Sequence, residues 1–116
     1  MRILLDPCVP KPLRRSFPTH QIRTAAEMGW QDLRNGKLLA EAAAAFDVIL
    51  TVDKNIKYEQ NLATLPIAVI VLRAPKNTPD VLAGFAPFVE RALGSYQRGQ
   101  MLEIDETGIV TIITSR

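Results

Sequence analysis

The chain has 116 residues, 47% of them hydrophobic and 22% charged, and its formal net charge is +2. One domain of this size can bury a core without a disulfide or a structural metal, and the composition argues against both a disordered chain and a membrane protein. The weak charge decides little about nucleic acid, because an electrostatic signature of such binding needs a more basic domain or a clustered patch.

The first third of the chain predicts short elements separated by prolines and glycines. An apolar run opens the chain, and Pro12 sits where the first turn of a helix tolerates a missing N–H. Gly29 is placed to end a helical turn. In chain order we expect a strand at Arg2–Leu5, a short helix at Lys11–Phe17, a strand at His20–Thr24 and a helical turn at Ala25–Met28.

The middle of the chain predicts a helix that leads directly into a buried strand. Asn35 is a residue type that caps helices, and apolar residues recur at helical spacing through Gly36–Phe46. The apolar run Asp47–Val52 follows and predicts a strand. Asn55–Leu62 is polar enough for a short helix or a loop, and Ile67–Leu72 is an unbroken apolar run typical of a strand that is buried on both faces.

The last third predicts one helix and two strands. A helix capped by Thr78 or Asp80 should extend to Leu93, with a kink at Pro87. Two further apolar segments flank a turn sequence that contains glycine, and this pattern indicates a C-terminal β-hairpin made of Met101–Ile104 and Ile109–Thr114. The alternation of strands and helices predicts one α/β domain, residues 1–116, with a mainly parallel central sheet.

Two aspartates each follow a predicted strand, and this pairing is the most informative feature of the chain. Asp6 follows the first strand and Asp53 follows the strand ending at Val52. Ligands of open parallel sheets bind outside the carboxyl ends of the strands, so we expect both carboxylates at one edge. Such a pair can bind Mg²⁺ or Mn²⁺ through oxygen and leave coordination positions for water and phosphate. Phosphodiester chemistry is the leading hypothesis.

Polar donors lie near both aspartates in the sequence. Lys54, Asn55 and Lys57 follow Asp53 and are suited to contact a phosphate or an exposed base edge, whereas the plainer alternative is a solvated surface. Arg14 lies near the Asp6 end and could bind a nucleic-acid backbone.

Three segments in order resemble a known family: Ile3–Asp6 with Val9 and Pro10 following, Asn35–Leu39, and Leu50–Asn55. Their order and spacing, from residue 1 to about residue 73, are similar to those of the PIN-like DUF5615 family. The resemblance implies a PIN-like three-layer α/β/α sandwich and a ribonuclease that depends on Mg²⁺ or Mn²⁺. It also implies RNA as the substrate, and it is compatible with a toxin that pairs with an antitoxin protein and with a homodimer.

The resemblance implies a metal site on Asp6 and Asp53, with Asn35 or Asp32 completing it through water. Two positions depart from the family pattern, because Pro7 and Asn35 stand where such families often carry acids. An amide in place of a carboxylate lowers the negative charge that binds a hard cation. The alternative hypothesis is therefore a catalytically lapsed PIN-like module that binds a partner protein or RNA.

Other site chemistries fit the sequence less well. Cys8 and Arg14 have the Cys-x₅-Arg spacing of a phosphatase loop, but Pro10 and Pro12 remove backbone donors that such a loop needs. His20 is the only histidine, which leaves no Cys-His cluster for zinc. A receiver-type phosphoacceptor suits the length, but the acid pair expected beside the first strand is interrupted by Pro7.

The expected location is the cytoplasm. A chain with one cysteine forms no internal disulfide and suits a reducing compartment. The N-terminus lacks the features of a secretory signal, and no apolar run approaches the ~20 residues of a membrane-spanning helix.

Overall fold

The computed structural model describes residues 1–114, except for the side chains of Asn35, Tyr58 and Glu59. Its centre is one six-stranded sheet with the strand order β2-β1-β3-β4-β5-β6. All neighbours pair in parallel except β5 and β6, which pair antiparallel. The strands are β1 (Arg2–Leu5), β2 (Gln21–Thr24), β3 (Val48–Thr51), β4 (Ala68–Arg73), β5 (Met101–Asp105) and β6 (Val110–Ile113). The expected α/β class with a mainly parallel sheet is confirmed.

Short helices connect the strands. The helices are α1 (Asn35–Ala45), α2 (Ile56–Glu59), α3 (Pro79–Ala83) and α4 (Ala86–Leu93), with 3₁₀ helices at Lys11–Ser16 and Leu62–Thr64. None of the helices within residues 1–114 combines the length and the apolar character that crossing a membrane requires.

The prediction that Asn35 caps α1 is wrong by one residue. Arg34 has extended backbone angles, φ −100° and ψ 163°, and occupies the cap position. Its carbonyl accepts the backbone N–H of Leu38 at 2.9 Å, which is the first i to i+4 bond of the helix. Asn35 is therefore the first helical residue, and the cap position is occupied by a side chain that makes no capping hydrogen bond.

Successive strand residues pack into two separate hydrophobic clusters. In β4, Ala68, Ile70 and Leu72 belong to one cluster, whereas Val69 and Val71 belong to the other. Side chains along a strand point alternately to the two faces of the sheet, so the two clusters lie on opposite faces. All five side chains are buried. In a strand that is covered on both faces, no side chain faces solvent. This explains why the run in the sequence is apolar without interruption.

The predicted helix ending at Leu93 is broken into two. α3 ends at Ala83, and α4 begins at Ala86 after Gly84 and Phe85. The ring of Pro87 would clash with the carbonyl of residue 83 in a continuous helix, and proline also lacks the N–H that would bond to that carbonyl. Pro87 instead lies in the first turn of α4, where neither problem arises.

The β6 strand forms one edge of the sheet and carries exposed apolar side chains. Ile109 just before it is 62% exposed, and Ile112 within it is 55% exposed. Gly108 ends the turn from β5 with φ +91°, a left-handed conformation that glycine adopts readily.

Replacing Gly108 with alanine should destabilise the fold. A Cβ at this position would lie 2.7 Å from Cε1 of Phe88, in addition to the strain of a positive φ. We expect Gly108→Ala to lower the free energy of unfolding by about 1–3 kcal/mol in urea denaturation.

The matched control is Gly36→Ala in the first turn of α1, where an added Cβ meets no atom within 4 Å. This change should raise the free energy of unfolding by up to about 1 kcal/mol. Equal effects of the two substitutions would contradict the assigned turn geometry.

Candidate functional site

Asp6 and Asp53 meet around the hydroxyl of Thr51 at the carboxyl edge of the sheet. β1 and β3 are neighbours, with Leu5 opposite Leu50, so the residues that follow both strands share one edge. Thr51 Oγ1 donates to Asp6 Oδ2 at 3.0 Å and accepts the backbone N–H of Asp53 at 3.1 Å. Thr51 is completely buried. We call these three residues the Asp6–Thr51–Asp53 cluster.

Backbone hydrogen bonds hold both aspartates in place. The N–H of Asp6 donates to the carbonyl of Leu50 at 3.0 Å, which extends the β1–β3 pairing by one residue. Asp53 Oδ1 accepts the N–H of Asn55 at 3.0 Å and so shapes the turn into α2. Within the described part of the chain, Asp6 Oδ1 and Asp53 Oδ2 accept no hydrogen bond. Each half-buried aspartate therefore keeps one oxygen for a ligand.

Cys8 contacts the cluster and is not a nucleophile at neutral pH. Its thiol donates to Asp6 Oδ2, and its sulfur lies 3.5 Å from Thr51 Oγ1. Desolvation of the sulfur, followed by the hydrogen bond and the negative charge of Asp6, raises the pKa of the Cys8 thiol to about 11. The thiolate is the reactive form, so this protonated cysteine adds a further argument against a phosphatase loop.

Arg14, the other member of that spacing, is directed away from the cluster. Its guanidinium binds Glu27 Oε1 at 2.5 Å. The same oxygen of Glu27 accepts the backbone N–H of Thr24 at 2.9 Å, and Thr24 Oγ1 accepts the N–H of Glu27 at 3.1 Å. The Thr24 backbone and then the Arg14 side chain lower the pKa of Glu27 to about 2. Arg14 is thus tied to the turn that follows β2.

Four other residues were predicted to belong to the site, and none of their side chains has a described contact with Asp6 or Asp53. They are Asp32, Asn35, Lys54 and Asn55. Asp32 is exposed in the loop between β2 and α1 and makes no hydrogen bond or ion pair with the described residues. Asn35 begins α1, but its side chain lies outside what the structure describes. Lys54 and Asn55 follow Asp53 directly and are exposed to solvent.

Lys57 is held by a buried acid that sequence reasoning missed. Its Nζ donates to Glu103 Oε2 at 3.1 Å, and Arg73 lies 3.6 Å from the other oxygen of Glu103. Glu103 is only 5% exposed. The strand register aligns it with Val71, which in turn pairs with Thr51, so Glu103 lies in the same row across the sheet as the cluster. The sequence did contain a signal for Glu103, because it is the single acid within the otherwise apolar segment Met101–Ile104.

The oxygen atoms of the cluster are the ligand type that hard divalent cations prefer. Two carboxylates and one hydroxyl are present, and the carboxylates carry the negative charge. No group of three or more His, Cys, Asp or Glu side chains in the described part of the chain is arranged to hold a metal ion. Any ion at this edge would therefore depend on water or substrate oxygens for most of its coordination.

Comparison with known proteins identifies no relative. No family model matches the chain, no curated protein matches it, and no solved structure matches it. Fold and site together define an α/β protein with a mainly parallel sheet and a polar cluster at the carboxyl ends of β1 and β3.

Removing the Thr51 hydroxyl should loosen the cluster. Thr51→Val keeps the shape of the side chain but leaves the N–H of Asp53 without its acceptor, which should lower the free energy of unfolding by about 1–3 kcal/mol. Urea denaturation measures this change, and amide hydrogen exchange at Asp53 should become faster. Thr51→Ser retains the hydroxyl and should behave more like the parent chain; if both variants lose the same stability, the hydroxyl is not the connecting group.

The thiol of Cys8 should report on Asp6. Because its pKa is raised to about 11, alkylation by iodoacetamide should be slow at pH 8 and accelerate up to about pH 11. Asp6→Asn removes the negative charge, so the pKa should fall toward the ordinary 9.0 and alkylation at pH 8 should become several-fold faster. Asp32→Asn changes the same charge without a contact to Cys8, and an equal acceleration there would contradict the assigned contact.

Proposed function

We propose that the chain is a PIN-like ribonuclease that depends on Mg²⁺ or Mn²⁺ and hydrolyses RNA phosphodiester bonds at the Asp6–Thr51–Asp53 cluster. The observation that carries the proposal is the buried Thr51 hydroxyl, which links the carboxylate of Asp6 to the backbone N–H of Asp53 at the carboxyl edge of a parallel sheet. Ligands of open α/β sheets bind at this edge. The resemblance to PIN-like proteins in the first 73 residues supplies the reaction class.

In this proposal each residue has a separate task. Asp6 Oδ1 and Asp53 Oδ2 would hold the ion, with Asp32 and Asn35 as further ligands through water. The bound ion would activate water for in-line attack and stabilise charge on the leaving oxygen. Thr51 holds the carboxylate of Asp6 and the backbone N–H of Asp53, and it does so from a position that solvent does not reach.

Cations near the cluster would position the phosphate backbone. Lys54 follows Asp53 and, with Arg73, lines a cavity of about 330 Å³ whose lining also includes Asp105 and Glu106. Glu103 binds Lys57 and thereby ties α2 to β5 beside the cluster. Arg14 is not assigned to the RNA substrate, because its pair with Glu27 ties it to the turn after β2 instead of to the cluster.

The finer fold and the partners belong to the same proposal. Hydrophobic clusters on both faces of the sheet support a three-layer PIN-like sandwich, and the antiparallel pairing of β5 with β6 supports a C-terminal hairpin. A cytoplasmic location rests on the sequence, whereas an antitoxin partner and a homodimer rest on the family resemblance, and all three stay predictions.

The second candidate function is a catalytically lapsed module that binds a partner protein or RNA. One observation favours it: the described residues contain no group of three or more acids, histidines or cysteines that could hold a metal ion. Two carboxylates would bind a hard cation more weakly than three.

Cleavage of an RNA pool containing single-stranded and structured molecules should separate the two functions. The nuclease proposal predicts cleavage in Mn²⁺ or Mg²⁺, none in EDTA, and a loss of at least about 100-fold in Asp6→Asn and Asp53→Asn. Asparagine retains the oxygen that accepts from Thr51 or from the N–H of Asn55, so the fold should survive.

The control variant is Asp80→Asn, which removes an exposed carboxylate at the start of α3 and should leave cleavage unchanged. Absence of cleavage by the parent chain, or cleavage that persists in the Asp6 and Asp53 variants, would favour the non-catalytic module. Binding of the same RNA pool without cleavage would identify RNA as its partner.

A further inference from the structure

A cavity of about 520 Å³ lies along the edge strand β2, and no residue of the Asp6–Thr51–Asp53 cluster lines it. Three arginines reach it from three different elements: Arg2 from β1, Arg14 from the first 3₁₀ helix and Arg23 from β2. No aspartate or glutamate lines it. A volume between ~300 and ~1,000 Å³ is usual for a small-molecule site.

The rest of the lining is mainly apolar. Phe17, Ile22 and Phe46 are nearly fully buried, and Met28 is partly buried. Trp30 packs edge-on against Phe46, one of these lining residues, at 6.0 Å between ring centres. An apolar floor with a few cationic groups at its margin suits a ligand that has one charged end and an apolar body.

The three arginines are not equally engaged. Arg2 lies 3.4 Å from Asp47 Oδ1, and Arg14 binds Glu27 at 2.5 Å. A guanidinium has five N–H donors, so each pair leaves donors for a further acceptor. Arg23 is exposed and forms no ion pair with a residue that the structure describes. The margin of the cavity therefore holds one uncompensated positive charge and two oriented guanidinium groups.

Two residues of the lining each keep a buried polar atom without a protein partner. These atoms are Arg14 Nε and His20 Nδ1, among the described residues. The other ring nitrogen of His20 lies 2.8 and 3.0 Å from the two oxygens of Glu90 and therefore carries a proton. Nδ1 is then an acceptor in the neutral ring and a donor in the protonated one. Buried polar groups in proteins usually find a partner, and neither atom has one among the described residues.

We propose that this cavity binds a small organic anion, with its carboxylate or phosphate group at Arg2, Arg14 and Arg23 and its apolar body against Phe17 and Phe46. The site is independent of the proposed nuclease centre, because the two share no residue. The volume and the half-enclosed apolar floor favour a small molecule over an extended peptide, which would need a longer open groove.

His20 makes the test direct because it is the only histidine in the chain, so its ring signals in an NMR spectrum need no assignment. Phenyl phosphate and benzoate are the two probes, and they distinguish a phosphate from a carboxylate head group. Saturable shifts of the His20 ring signals are expected with at least one of them. Inorganic phosphate supplies only the charge and benzyl alcohol only the apolar body, so each should bind at least tenfold more weakly.

Arg23→Gln should weaken binding of the favoured probe about tenfold or more, since it removes a charge-assisted hydrogen bond. Arg34→Gln removes the same charge from an exposed position that does not line the cavity and should leave binding unchanged. Ala45→Leu keeps every charge but adds volume inside the cavity, and it should also weaken binding. The chain need not cleave RNA for any of these measurements to succeed.

Three results would overturn the proposal. The first is that neither probe shifts the His20 signals saturably. The second is that Arg34→Gln weakens binding as much as Arg23→Gln, which would indicate general attraction to a basic surface. The third is that inorganic phosphate binds as tightly as phenyl phosphate, so that the apolar floor contributes nothing. If the first result is accompanied by binding of an acidic peptide, the cavity recognises a peptide and the proposal is wrong.

Discussion

The parallel pairing of β1 with β3 is the constraint on which the candidate site depends. It aligns Leu5 with Leu50, and the next residue of each strand is then Asp6 beside Thr51. The pairing joins segments that are 45 residues apart in the chain. Because Thr51 is buried, water cannot replace the Asp6 carboxylate as the hydrogen-bond acceptor of its hydroxyl. The position of the Asp6 carboxylate is therefore coupled to that of the Asp53 backbone.

Much of the fold is predictable from the sequence because a doubly covered strand leaves a simple pattern. The apolar runs before Asp6, before Asp53 and before Arg73 all form strands, and the shared edge of the two aspartates follows from their parallel direction. Helix ends were harder to predict. The cap of α1 lies at Arg34 instead of Asn35, because Arg34 has the extended backbone angles of a cap position and Asn35 is already helical.

Side-chain partnerships were beyond the sequence because they join distant positions. Thr51 looks like an ordinary strand residue until β1 is placed beside it, and Glu103 looks like a polar strand position until Lys57 is placed above it. For Arg14 the sequence suggested a place near the site that the structure does not show. It lies near Asp6 in the sequence, but Glu27 draws it to the turn after β2. Nearness along the chain is a poor guide to contact when strands alternate with helices.

The strand order also has a consequence for how the chain acquires its site during synthesis. β1 leaves the ribosome first, yet it lies between β2 and β3 in the sheet. Parallel neighbours need long connections, and closing such loops makes folding slower than it is for hairpins. Asp6 therefore has no partner until Thr51 has emerged and β3 has docked. Until β3 has emerged, the nascent chain would expose β1 without its hydrogen bond to Thr51, so the site would form late in the synthesis of this segment.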